Sequence, residues 1–157
     1  MQHGQRPFRL LTLAALAASL MLPGTTALSA RPAGTDVTVT VANLRNHDGV
    51  VRACMTSDQD RFPRCQGSAQ AHSVVSDAGA ATVLRFRNVQ PGTYAIALLH
   101  DENNNGRADR TLGMMPREGF GFSRDARVRM GPPRFRDAAI QINDTASHQT
   151  IRMRYML

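Results

Sequence analysis

The sequence predicts an all-β protein, folded as a single antiparallel β-sandwich of about seven strands. Apolar and polar residues alternate along several short segments, as expected for strands with one buried face. Turn residues separate these segments, and after residue 30 no long segment has the periodicity of an amphipathic helix. Successive strands without crossover helices are typical of antiparallel sandwiches.

The first half of the predicted domain contains two pairs of alternating segments. The segment DVTVTVANL places Val37, Val39 and Val41 on one face. Asp48-Gly49 is a strong hairpin signal, so we expect VVRACM to return as the antiparallel partner of that strand. A second hairpin is expected at residues 77–79, between AHSVVSD and AATVLRFRNV.

The second half contains one buried strand, a long loop and two closing strands. TYAIALLH alternates less strictly, which predicts a central strand that is buried on both faces. The segment 101–136 is rich in Gly, Pro and Arg and is predicted to be a loop. AAIQIN and HQTIRMRYM follow as strands, the latter with Ile151, Met153 and Tyr155 facing inward.

The first thirty residues have the pattern of a secretory signal peptide. Arg6 and Arg9 precede an uncharged apolar run, and small residues follow Pro23 and Gly24. The run is shorter than the roughly 20 residues that a membrane-spanning helix needs. We therefore expect a signal peptide at 1–30, cleaved after Ala27 or Ala30, and one mature β-sandwich domain at 31–157. The predicted location is the periplasm or the extracellular medium, with no transmembrane segment after cleavage.

The charge is positive, and all of it comes from arginine. The chain has a net charge of +7, and its 19 basic residues include no lysine. A positive surface favours anionic partners, such as acidic glycans or lipopolysaccharide. Nucleic acid is not expected, because the protein is predicted to be exported and its arginines are not interleaved with aromatic residues.

The two cysteines are predicted to form a disulfide. An oxidising compartment would join Cys54 to Cys65, which are close in sequence. Their spacing does not match a redox-active Cys-x-x-Cys pair, and no second Cys or His pair completes a zinc site.

The segment HDENNNGRAD, residues 100–109, alternates metal-ligand residue types. Ca²⁺ binds carboxylate, amide and carbonyl oxygens, and a glycine permits the sharp turn between them. The predicted ligands are the side chains of four residues and the Arg107 carbonyl, the four being Asp101, Asn103, Asn105 and Asp109. Their spacing is similar to the first nine positions of an EF-hand loop.

The final ligand of such a loop is missing, since Leu112 stands where a bidentate glutamate would be. A weak site is therefore expected, unless Glu102, Glu118 or Asp125 folds back to add charge. Two alternatives remain open, a metal-free turn rich in Asn and Asp and a different metal. His100 is expected to be a hydrogen-bonded structural residue.

The segment MMPREGFGFSRDARVRMGPPRF is a second candidate site. Phe120 and Phe122 precede Arg124, Arg127 and Arg129. Aromatic and arginine side chains together suit an anionic or carbohydrate ligand. In the alternative interpretation both phenylalanines enter the core and the arginines are simply solvated.

Two stretches resemble known families. FRNVQPGTYAI resembles the strand and turn of prealbumin-like and Cna-B-like sandwiches, which implies an immunoglobulin-like or prealbumin-like fold. YAIALLHDENNNGRADRTLGMMPREGFGFS, with the later GPPRFRDAAI, resembles the exported bacterial family known as domain of unknown function 2141. The resemblance implies export and a β-sandwich, and it carries over no catalytic residue.

Three classes of function follow. The first is a non-catalytic envelope module, structural or ligand-binding, with a weak calcium loop. The second is a protein with a purely structural loop that docks on an envelope complex, for example by strand addition. The third is a hydrolase that uses a carboxylate pair such as Asp101 and Glu118. A catalytic site is not expected, because Ser123 lacks a full Gly-x-Ser-x-Gly motif and a nearby histidine.

Overall fold

The structure is a computed structural model that describes residue 1, residues 34–111 and residues 115–156. Eight strands form the framework of this part of the chain. They are β1 (Thr35–Ala42), β2 (Val50–Thr56), β3 (Ala71–Asp77), β4 (Val83–Val89), β5 (Gly92–Asp101), β6 (Gly119–Phe122), β7 (Ala139–Ile142) and β8 (Ser147–Arg152). A 3-10 turn, Ser123–Asp125, and a short helix α1, Phe135–Ala138, lie between β6 and β7. The predicted signal peptide, apart from Met1, falls outside the described residues.

The strands form two sheets, which confirms the predicted all-β sandwich. The smaller sheet has the order β4-β1-β8, and the larger has the order β3-β2-β5-β6 with β7 also paired to β5. Since β2 occupies one edge of β5, β6 and β7 share the other edge. β5 is thus the central strand, as its apolar sequence predicts.

The main core lies between the two sheets and follows the alternation of the sequence. Val37 and Val39 of β1 are fully buried, as are Ile151 and Met153 near the end of the chain. Tyr155 is only partly buried. Burial of a large aliphatic side chain stabilises a fold by about 1.5–3 kcal/mol, so this interface holds the sandwich together.

A second apolar cluster covers part of the outer face of the larger sheet. Ala95 and Ala97 of β5 point away from the main core, and Phe122, Phe135 and Ala138 pack over them. Phe62 joins this cluster from the loop between β2 and β3, with its ring edge-on to Phe122. β5 is therefore buried on both faces, as predicted.

Both predicted hairpins are wrong. β1 pairs with β4 and β8, whereas β2 pairs with β3 and β5, so the turn at Asp48-Gly49 carries the chain from one sheet to the other. The connection at residues 77–79 does the same between β3 and β4. Alternation specifies which face of a strand is buried, but all four strands face the same core, so it cannot specify the sheet.

The number and direction of the strands also differ from the expectation. β6 lies inside the segment that was predicted to be a loop. The sequence did not indicate this strand, because two of its four residues, GFGF, are glycines with low strand propensity. β1 and β8 run parallel, so the sandwich is not wholly antiparallel. In the smaller sheet, β8, the last strand of the chain's described part, lies beside β1, the first.

Candidate functional site

The candidate site lies at the end of β5, where the central strand enters the acidic loop. Asp101 is the last residue of β5, and β6 begins at Gly119 after the loop. The turn at Gly49 packs against this point. Its φ of 65° favours glycine, and a Cβ there would clash with the backbone of Asp101 and Glu102. The Asp48-Gly49 pair thus helps to build the site rather than a hairpin.

Asp101 is completely buried and organises the loop around its carboxylate. Its Oδ2 accepts hydrogen bonds from Arg52 Nε at 2.6 Å and from the Gly106 N–H at 2.8 Å, while Oδ1 accepts one from the Asn105 N–H at 2.9 Å. Burial by itself raises the pKa of Asp101, but the Arg52 hydrogen bond and the two N–H groups outweigh it and lower the pKa. Asp101 is therefore ionised, with Arg52 as its counter-charge.

Asp109 closes the loop through the two predicted asparagine ligands. Its Oδ2 accepts hydrogen bonds from Asn103 Nδ2 at 2.8 Å and from Asn105 Nδ2 at 2.9 Å. The Asn105 Oδ1 accepts from the Arg107 N–H at 2.8 Å. Three of the four predicted side-chain ligands thus contact one another, and the fourth, Asp101, holds the loop backbone.

Glu118 is the acidic residue that folds back onto this loop. Its Oε2 accepts a hydrogen bond from the Asp109 N–H at 3.1 Å, and the side chain is buried, with 4% of the residue exposed. Burial raises the pKa of Glu118, and the neighbouring charges of Asp101 and Asp109 raise it further. Backbone N–H groups of Asp109 and Glu102 oppose that shift without reversing it, although of the two only the Asp109 N–H forms a hydrogen bond with the carboxyl.

The second oxygen of Glu118 is the unusual atom of the site. Among the described residues, Oε1 is buried and accepts no hydrogen bond of acceptable geometry. A buried acceptor that loses its water without gaining a partner costs about 1–3 kcal/mol. Such an atom, in a carboxyl whose pKa is also raised by the charges of Asp101 and Asp109, is poorly satisfied by the described residues alone.

The other acidic residues considered from the sequence lie outside this group. Both oxygens of Glu102 bind Arg45, at 2.7 and 2.6 Å, and Oε1 also accepts from Asn46. Asp125 is exposed and lies 3.8 Å from Arg154. Leu112, at the missing ligand position, falls outside the described residues.

His100, the residue before Asp101, is a hydrogen-bonded structural histidine, as expected. It is fully buried, with Nε2 2.9 Å from the Asp48 carbonyl and Nδ1 2.8 Å from the Tyr155 hydroxyl. Because a carbonyl only accepts, we infer that Nε2 carries the proton. This network ties the 48–49 turn and the end of the chain to β5.

The carboxylates do not form a ready-made metal centre. Within residues 34–111 and 115–156, no three His, Cys, Asp or Glu side chains are grouped as metal ligands. The contacts explain this, because Asp101 is turned to Arg52 and Asp109 to the two asparagine amides. A cation would need those amide groups to rotate so that their oxygens face it.

The second predicted surface is divided by the structure. Phe122 is buried and Phe120 partly buried against the outer face of the larger sheet. Arg124, Arg127 and Arg129 are exposed and line a different groove of about 930 Å³. The five residues therefore do not line one groove. Neither phenylalanine enters the core between the sheets, since both pack on the outer face of the larger sheet.

Two further residues are explained by their contacts. The Ser123 hydroxyl is fully buried, accepts a hydrogen bond from the Ile96 N–H at 2.9 Å and donates to the Ala138 carbonyl at 2.5 Å. It fastens the 3-10 turn to β5 and α1. Cys54 and Cys65 form the predicted disulfide, with their Cα atoms 5.5 Å apart.

Fold and site together define a small disulfide-stapled β-sandwich with an acidic loop at one end of its central strand. The chain belongs to the family described as an uncharacterized protein conserved in bacteria, domain of unknown function 2141, which it matches over residues 39–150. This confirms the resemblance found in the sequence. No curated protein and no solved structure matches the chain. In the described part of the chain, no helix has the length and apolar character needed to cross a bilayer.

Proposed function

We propose that this protein is an exported, non-catalytic envelope module whose 101–109 loop binds Ca²⁺ weakly, with Glu118 as the additional acidic ligand. The single observation that carries the proposal is the buried Oε1 of Glu118, which has no hydrogen-bond partner among the described residues. The charges of Asp101 and Asp109 also act on this carboxyl and raise its pKa. Ca²⁺ would supply the positive charge that this oxygen lacks.

The ligand chemistry suits Ca²⁺. Glu118 would replace the carboxylate that Leu112 does not provide, and it would join Asp101 and Asp109 as the third anionic group. Asn103 and Asn105 would add amide oxygens once their side chains rotate. Calcium accepts six to eight oxygens in flexible geometry, whereas Mg²⁺ demands a near-ideal octahedron and keeps its waters. Ca²⁺ is therefore favoured over Mg²⁺.

The existing contacts support weak binding. The ion would have to displace the hydrogen bonds from Asn103 and Asn105 to Asp109, and it would be repelled by Arg52, which lies 2.6 Å from Asp101. These losses reduce the net free energy of binding. We expect a dissociation constant of about 10⁻⁴ to 10⁻³ M, the range of weak extracellular calcium modules.

The raised pKa of Glu118 would also suit a general acid, as a hydrolase requires. However, Glu118 lines neither of the two large grooves on the described surface. A catalytic carboxyl has to reach its substrate, so the geometry favours the metal role.

Calorimetric titration of Ca²⁺ into the chelator-stripped protein tests the proposal, with Glu118→Gln as the key variant and Glu102→Gln as its matched control. Both substitutions remove one carboxylate from the same loop region, but Glu102 is already bound to Arg45 and Asn46. We expect wild type and Glu102→Gln to bind Ca²⁺ more tightly than Mg²⁺, and Glu118→Gln to bind at least about tenfold more weakly.

Absence of binding to the wild type up to about ten times the weakest extracellular dissociation constant would overturn the proposal. If Glu118→Gln bound Ca²⁺ as tightly as wild type, Glu118 would not be a calcium ligand.

Export is supported by the signal-peptide pattern of residues 1–30 and by the disulfide, which requires an oxidising compartment. Expression of the full chain in a bacterium, followed by mass spectrometry of the periplasmic fraction and medium, tests it. We expect a protein that begins after Ala27 or Ala30. Uncleaved chain confined to the cytoplasm would contradict export.

A further inference from the structure

A second groove lies on the outer face of the larger sheet, where the cluster around Phe122 ends. It has a volume of about 790 Å³, within the usual range of roughly 300–1,000 Å³ for small-molecule sites. Its lining includes one row of residues across the outer face of the sheet, which runs Val75, Arg52, Leu99 and Phe120. Ala97 of β5 and Phe62 of the β2–β3 loop also line it. The groove is separate from Glu118, which does not line it.

The surface of this groove is apolar and only partly covered. Val75 of β3 is 52% exposed, and Leu99, Phe62 and Phe120 are partly buried. The Cys54–Cys65 disulfide holds the loop that carries Phe62 over the sheet. An apolar chain placed between Phe62 and Val75 would remove this surface from water.

Among the described residues, arginines provide all the charge in the lining. These are Arg52, Arg64, Arg107 and Arg110, and no described aspartate or glutamate lines the groove. Arg52 is bound to Asp101 and Asn104. The guanidinium groups of Arg64, Arg107 and Arg110 make no hydrogen bond or ion pair with any described residue. Arg107 and Arg110 both come from the acidic loop that follows β5.

We propose that this groove binds a single long-chain carboxylate, a fatty-acid type of anion. The alkyl chain lies along Val75, Leu99 and Phe120, and the carboxylate is held by Arg107 and Arg110. The planar fork of a guanidinium matches a carboxylate with two parallel hydrogen bonds. A largely apolar lining that also carries arginines without a partner among the described residues fits a ligand with one anionic head and one apolar tail.

A monomeric amphiphile is favoured over a membrane surface because the ligand-binding face is a groove with walls on both sides. Phe62 stands on the disulfide-held loop, and the 106–110 segment rises from the end of β5. A flat bilayer would not reach Ala97, which lines the groove and is only 8% exposed.

Calorimetric titration of dodecanoate below its micelle concentration tests the proposal, in chelator and without calcium. We expect binding of one molecule per chain. The double variant Arg107→Gln/Arg110→Gln removes two charges from the groove, and Arg85→Gln/Arg87→Gln removes two from exposed positions on β4 of the other sheet. We expect the first pair to weaken binding by about tenfold or more and the second to leave it unchanged.

Two more measurements separate the contributions of head and tail. Dodecanol, which has the same chain and no charge, should bind about tenfold more weakly than dodecanoate. Val75→Asp places a like charge on an exposed wall without disturbing the core, and it should weaken dodecanoate binding.

Several results would overturn the proposal. They are the absence of saturable dodecanoate binding, equal binding of dodecanol, equal loss in both arginine pairs, or binding only to vesicles that contain anionic lipid. Because calcium is absent throughout, none of these results bears on the proposed calcium site.

Discussion

At the scale of single residues, Glu118 combines an unfavourable position with a proposed role. The pKa of its carboxyl is raised in the folded state by burial and by Asp101 and Asp109. The unfolded carboxyl therefore ionises at lower pH than the folded one. As pH rises from the unfolded pKa through the folded pKa, the folded state loses stability, and the full penalty remains at higher pH.

Glu118→Gln should therefore stabilise the calcium-free protein at neutral pH, because a neutral amide carries no buried charge and can donate to a neighbouring carboxylate. We expect a gain of about 1 kcal/mol, the lower end for an unsatisfied buried group. The gain should shrink as pH falls towards about 4, near the ordinary pKa of glutamate. Urea unfolding at several pH values measures it, and a variant less stable than wild type at neutral pH would contradict the account.

Arg52 is the residue that neutralises Asp101 in the metal-free loop. Arg52→Gln removes a charge-assisted hydrogen bond of 2.6 Å to a fully buried carboxylate and should destabilise the fold by about 2 kcal/mol. The same change removes a positive charge beside the proposed ion, so calcium should bind more tightly. Unfolding and calcium titration of this variant, compared with Arg85→Gln on an exposed strand face, check both effects. Weaker calcium binding would count against the assigned geometry.

At the scale of the elements, β6 determines the position of Glu118, because the strand begins at the next residue, Gly119. Gly119 faces the Tyr155 ring so closely that a Cβ would overlap it, whereas a Cβ at Gly79 would meet nothing within 4 Å. Gly119→Ala should push β6 away from the end of the chain and cost about 1–3 kcal/mol, as overpacking does.

The measurement is the unfolding free energy of Gly119→Ala, with Gly79→Ala as the control. The Gly119 variant should also bind calcium more weakly, because Glu118 moves with the strand. If both variants kept wild-type stability, the close packing of β6 against Tyr155 would be disproved.

The elements also show what the sequence could and could not predict. Burial of Val37, Val39 and Ile151 followed directly from alternation, because a period of two fixes the face of a strand. The partners of β1 did not follow, since pairing depends on contacts between distant segments. From the sequence, Glu118 was one of three carboxylates that could fold back onto the loop. The position of β6 places Glu118 there, but the glycine-rich sequence of β6 did not predict a strand.

At the scale of the whole molecule, the disulfide links the larger sheet to the loop that carries Phe62. Its cysteines are 11 residues apart, and closure of a short loop of this kind stabilises a fold by about 3 kcal/mol in the chain-entropy treatment. Cys54→Ala/Cys65→Ala should lower the unfolding free energy by about that amount. It should also weaken dodecanoate binding, because Phe62 is no longer held over the groove. Unchanged stability in the double variant would contradict a structural role.

The sandwich places the two proposed sites on one loop with opposite charges. The charges of Asp101 and Asp109 act on Glu118, while Arg107 and Arg110 line the groove on the outer face. Arg52 joins the two regions, because it lines the groove and binds Asp101. The central strand thus supports both proposed sites, and in this account a single short segment would bind a cation and an anion. Asp-and-Asn alternation predicted the first side, whereas the second required knowing where the loop lies on the sheet.

The most direct test of the central claim is a crystal structure of the mature protein with Ca²⁺ at about ten times the expected dissociation constant. The account predicts an ion bound by Asp101, Asp109 and Glu118 Oε1, with metal–oxygen distances of about 2.3–2.6 Å and with the Asn103 and Asn105 amides rotated away from Asp109. A loop without an ion, in which both asparagines still donate to Asp109 and Glu118 Oε1 is bound only by water, would contradict it.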